Sequence, residues 1–156
     1  MVKILIPFIL LLLICAACNN ADNKHSGHKT EGTKTQVDSL MDDVMEGHDV
    51  GMAKYSKLNA MQKEVQRVID SLSKLPAKSK EAAAPYKTKL DSAVNDLNNA
   101  IAAMDKWMEE FNMDSAVNNM EERIKYLGNE KMKVGKVKES ILKSLEKADS
   151  LLKAKL

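Results

Sequence analysis

Seven apolar residues, Leu90, Val94, Leu97, Ile101, Met104, Met108 and Phe111, follow one another at alternating steps of four and three. A helix gathers such residues along one stripe, whereas a strand would scatter them over both faces. The 3.5-residue period is that of a seam between packed helices, so this segment requires helical neighbours with stripes of their own. Two more are present. Met41, Met45, His48, Met52, Tyr55, Leu58, Val65, Val68 and Leu72 mark one. Ala116, Met120, Ile124, Leu127, Val134, Val137, Ile141, Leu145, Ala148 and Leu152 mark the other, broken at Lys131. Alanine, leucine, lysine, glutamate and methionine dominate the chain, and all are good helix formers. No Val/Ile/Thr-rich alternation with hairpin turns competes with them.

The boundaries follow from local chemistry. Thr35 with Asp38 three residues on is close to a capping box, and Pro76 stops a first helix running from about Gln36 to Leu75. Residues 76–84 read as a loop. Pro85 then suits the first turn of a second helix, where its missing N–H has no partner to lose. Asn112, Asp114 and Ser115 supply turn and capping groups before a third helix that begins near Ala116. Gly128 and Gly135 each weaken that helix by about 1 kcal/mol relative to alanine. Short connections make successive helices antiparallel, so the expected fold is all-α: an elongated, coiled-coil-like, up-down-up three-helix bundle with helices of roughly 45–60 Å. A helical hairpin completed by a second chain is the competing architecture.

The first eighteen residues concern address. Lys3 precedes an apolar run over residues 4–14, interrupted only by Pro7. That run is too short to span a bilayer comfortably and has the flanks of a secretory signal. Ala16 and Ala17 lead into Cys18, as in the lipobox of bacterial lipoproteins, where the leader is cut and the cysteine is acylated. An uncleaved anchor or ordinary secretory cleavage near Ala17 is the alternative. The expected organisation is a leader over 1–17, a lipidated Cys18 with a polar, flexible tether over 18–35, and a bundle domain over 36–156. Asn19 differs from an acidic inner-membrane retention signal and only Asp22 is acidic near the anchor, which points to an outer-membrane anchor facing the periplasm.

Charge and cysteine content narrow the partners. The leader holds one lysine and no acid, so the mature chain carries +1 rather than +2. Only Arg67 and Arg123 offer guanidinium, and lysines are interleaved with acids, a poor pattern for nucleic acid. With Cys15 removed and Cys18 acylated, no disulfide is available and packing alone must hold the domain.

An up-down-up topology brings the start of the first helix, the end of the second and the start of the third together. Seven of the ten methionines then share one end with Trp107, Phe111 and His48. His48 lies three residues after Met45 and four before Met52. Gly47 and Gly51 flank it, opening a shallow groove that suits close approach of another backbone or a ligand. Imidazole and thioether sulfur suit Cu(I), and a His/Met pair also ligates haem iron. Copper or haem held by His48, Met45, Met52, Met104 and Met108 is therefore one reading, with His25 and His28 as possible outer contacts. Ordinary core packing of methionine against Trp107 and Phe111 is the other, with no cofactor. Asp49 is expected to point about 100° away from His48 around the helix and so not to orient its ring. No G-x-S-x-G, H-E-x-x-H or phosphate-binding glycine loop occurs, so no catalytic residue is assigned and no enzyme is expected.

Three segments, MDDVMEGHDVGM (41–52), AMDKWMEEF (103–111) and YLGNEKMKVGKV (126–137), resemble a group of small helical lipoproteins of Gram-negative bacteria that carry the label "viral A-type inclusion protein". The resemblance implies a helical fold and a lipoprotein address, and no activity. The expected function is a non-catalytic interaction or envelope-structure module. It would be tethered to the membrane through Cys18 and would contact an envelope protein or a second copy of itself.

Overall fold

The computed structural model describes residues 34–154; the leader, Cys18 and most of the tether lie outside them. Three helices, α1 (Gln36–Ser73), α2 (Ala77–Glu110) and α3 (Met120–Lys153), pack pairwise against one another, with no strand among the described residues. At 1.5 Å per residue they are about 50–57 Å long.

α1 begins where the sequence placed it. The Thr35 side chain accepts from the Asp38 N–H at 3.2 Å, and the Thr35 N–H donates to Asp38 at 3.1 Å, completing a capping box. The Thr35 hydroxyl also donates to the Asp38 carboxylate at 2.6 Å, and this bond, with the one from the Thr35 N–H, holds the Asp38 carboxyl below its ordinary range.

The other two starts differ from expectation. α2 begins at Ala77, eight residues before Pro85, which lies inside it. The Lys80 N–H donates to the Pro76 carbonyl at 2.9 Å, so Pro76 occupies the helix entrance instead. The alanine-rich run from Ala77 to Ala84 propagates the helix well enough to absorb a proline in its third turn, normally a loss of about 3 kcal/mol. Buried Ala83 holds this turn down. α3 begins at Met120 rather than near Ala116, because residues 113–118 form turns in which Ala116 takes φ 57°. Asn119 then caps α3, accepting from the Glu121 and Glu122 N–H groups at 3.1 and 3.2 Å.

Cross-helix contacts fix the directions. Asp43 meets Lys131 and Gly47 faces Val134, so α1 and α3 run the same way. Trp107 bonds Glu130, Asp96 meets Lys147, and the Tyr86 hydroxyl donates to the Leu151 carbonyl at 2.8 Å, so α2 runs opposite to α3. The order is up-down-up. Leu58, Leu90, Leu97, Leu127, Val134 and Ile141 are fully enclosed between the three helices. The end holding the start of α1, the end of α2 and the start of α3 is called here the near end.

The plane where Gly51, Met104 and Ile141 meet divides residues 34–154 into two parts of opposite charge. On the near side (34–51 and 104–141) eight Lys/Arg face thirteen Asp/Glu, net −5. On the far side twelve Lys/Arg face seven Asp/Glu, net +5.

Candidate functional site

The near end departs most from a simple aliphatic seam. On α1 the inward positions are Val44, Gly47 and Gly51, not Met45, His48 and Met52. A shift of one residue turns the face by about 100°. Its cause is close packing: a side chain at Gly47 would meet Val134 Cγ1 at 2.8 Å, and one at Gly51 would overlap the Met104 methyl. The groove expected between the two glycines is thus filled by the protein's own Val134, Met104 and Ile141.

His48 consequently stands on the flank, with 23% of its side chain exposed. Its ring lies 5.7 Å from that of Trp107. Trp107 stacks on Phe111 at 4.9 Å and Phe111 on Tyr126 at 6.2 Å, so four rings from three helices form a continuous row. Asp49 corrects an expectation: its carboxylate reaches back to His48 Nδ1 at 2.9 Å. Adjacent helical side chains diverge at Cβ, yet two rotatable bonds in each suffice to close the pair.

The methionines of the copper or haem reading are dispersed in burial. Met104 is wholly enclosed, Met45 and Met52 are partly buried, and Met108 is 36% exposed. Met113 and Met120 are more exposed still. Among the described residues no group of three or more His, Cys, Asp or Glu side chains is placed to hold a metal ion.

Three functional-looking residues went unread in the sequence. Glu130 is buried in the core with both oxygens satisfied, one by Trp107 Nε1 at 3.0 Å and the other by Lys133 at 2.8 Å. The same bond holds the Lys133 ammonium above its usual range. Arg123, also buried, donates to the Ser115 carbonyl at 2.7 Å. Tyr126 accepts from the Asn112 N–H at 2.7 Å, joining the ring row to the α2–α3 connection. A signal for Glu130 existed: Leu127, Glu130 and Val134 are in phase, and the apparent break at Lys131 is an outward residue paired with Asp43.

Every buried side-chain polar atom among the described residues has a partner. The bonds of Glu130, Tyr126 and Arg123 tie the end of α2 and the α2–α3 connection to the start of α3. No protein-family model, no curated protein and no solved structure matches this chain.

Proposed function

We propose that this chain is a membrane-tethered, non-catalytic interaction module of the bacterial envelope, lipid-anchored at Cys18 on the periplasmic face of the outer membrane. The observation that carries the reading is the division of charge, −5 on the near side and +5 on the far side of a bundle with a satisfied core. Such polarity does nothing for packing; its natural use is to orient a molecule and select an oppositely charged contact. The family resemblance and the small residues before Cys18 support the address.

The test compares the full chain with a far-end charge reversal, Lys74→Glu with Lys78→Glu and Lys80→Glu, in envelope cross-linking at low and high salt. All three lysines are exposed, Lys74 at the turn joining α1 to α2 and Lys78 and Lys80 at the start of α2. A defined cross-linked product that salt and charge reversal both abolish is expected. A product insensitive to both would overturn the reading.

A second reading, copper or haem binding at the His48 face, draws support from the carboxylate on Nδ1. Metal-ligating histidines commonly present one nitrogen to the metal while the other is held by such a group. Met45 and Met52 lie one turn to either side. Titration of the chain and of His48→Ala with copper and with haem decides it. Stoichiometric uptake lost in the variant supports it, and a chain that stays empty overturns it.

A further inference from the structure

Six large hydrophobic residues are exposed among the described residues, and four of them, Met108, Met113, Val117 and Met120, fall within thirteen positions at the near end. Single exposed apolar residues are ordinary, but a local concentration marks a contact surface. Met113, Val117 and Met120 are 57%, 59% and 64% exposed, on or beside the connection between α2 and α3.

That connection is a built shape. The Asn112 N–H is taken by Tyr126, and the Asn112 side chain accepts from the Asp114 N–H at 2.9 Å. The Ser115 carbonyl receives Arg123, and the Asn119 N–H donates to the Ala116 carbonyl at 3.1 Å. Ala116 holds φ 57°, a conformation that is costly for a residue with a Cβ. These bonds fix the course of the connection, while the side chains of Met113, Val117 and Met120 stay exposed.

The place where the tether arrives identifies what this surface meets. Thr35 and Val37, at the start of α1, line one depression together with Val117, Met120 and Arg123. Fifteen residues separate Cys18 from Lys34, a reach of at most about 50 Å. A tether of that length limits how far the start of α1 can lie from an anchor at Cys18, which raises the effective concentration of this tip at a bilayer. We infer that the α2–α3 connection is a lipid-contacting tip, with Met113, Val117 and Met120 seated in the headgroup–acyl boundary of the membrane that holds the chain. The inference rests on the anchor reading for its geometry. Glu109, Glu110, Asp114, Glu121 and Glu122 around the tip limit its depth and favour a zwitterionic surface over an anionic one.

Methionine oxidation by peroxide, read residue by residue in a mass spectrometer, tests this with native side chains. Met132, 60% exposed on α3, is the internal control. The full lipidated chain in phosphatidylcholine vesicles is compared with a Cys18→Ser chain, free and with excess vesicles. Expected is a severalfold slowing at Met113 and Met120 in vesicles, with Met132 unchanged, and loss of that slowing in Val117→Asp. Anionic lipid should weaken the protection; strengthening by it would overturn the inference. If the lipidated chain floats with vesicles while Met113 and Met120 oxidise as fast as in the free chain, the tip fails and the anchor stands. If no acyl group is found at Cys18 yet vesicles still protect both methionines, the anchor fails and the tip stands. Protection in native envelope vesicles but not in pure lipid would assign the surface to a protein and overturn the inference.

Discussion

Two pairs of glycines sit inside helices of this bundle, and they have opposite surroundings. On α1, Gly47 and Gly51 are buried where α3 and α2 press closest, with Val134 and the Met104 methyl in the space a side chain would occupy. On α3, Gly128 and Gly135 would meet nothing within 4 Å. Each glycine weakens its helix by about the same amount, roughly 1 kcal/mol relative to alanine. The first pair is offset by the close packing of Val134 and Met104 against bare backbone; a Cβ at either site of the second pair would meet nothing within 4 Å. A glycine in a helical pattern therefore reports a cost, and only the neighbouring helix reveals whether anything is gained.

The largest effect that tests this contrast is a matched pair of substitutions, Gly51→Leu and Gly135→Leu. At Gly51 the new side chain must displace Met104 and Ile141 from a closed core, and overpacking of that kind costs about 1–3 kcal/mol or more. At Gly135 the same side chain extends into open space and should stabilise by a few tenths to about 0.8 kcal/mol through helix propensity. Urea denaturation followed by circular dichroism measures both. Equal effects at the two sites would break the comparison.

A smaller effect isolates one contact. In Gly47→Ala, relief of the helix penalty is set against a Cβ 2.8 Å from Val134 Cγ1, tighter than van der Waals contact. Val134→Ala alone leaves a cavity in the core. Combined, the two changes exchange side-chain volume across one interface, so the double variant should be more stable than the sum of the singles by about 1 kcal/mol. Simple additivity in the four denaturation curves would mean that Gly47 is not held by Val134.

The same contrast shows which parts of the structure were legible. Leu90, Val94, Leu97 and Met104 could be read because bulk apolar residues carry the periodic signal themselves, and all four are buried. The start of α1 was legible because Thr35 and Asp38 are bonded to each other, three residues apart. The inward face of α1 at the near end was not. Glycine has almost no hydrophobic signature, so Met45, His48 and Met52 looked like the stripe, and a partner eighty-seven positions away, Val134, had turned the helix by one residue. Seam positions drift for a related reason: an unsupercoiled helix slips against a 3.5-residue period, which brings Trp107 inward and leaves Met108 at the surface. Glu130 was missed because an in-phase carboxylate is ordinarily solvated, and nothing local announces that the Trp107 indole waits across the interface. Pro85 misled because its helix cost is local, while the packing that offsets it involves Ala83.

The smallest effect is the most telling about the open pair. Gly128→Ala and Gly135→Ala should each stabilise the fold by roughly 0.5–1 kcal/mol, because both positions are helical and an added Cβ meets nothing. Thermal melts of the singles and the double variant measure this, and the gains should add, since the sites lie two turns apart with no shared neighbour. A loss at either site would mean that the glycine serves a contact within the chain. A gain in stability accompanied by loss of the salt-sensitive cross-linked product would have a different meaning. The glycines would then keep the outer face of α3 flat for a partner, the intermolecular counterpart of what Gly47 and Gly51 do for Val134 and Met104.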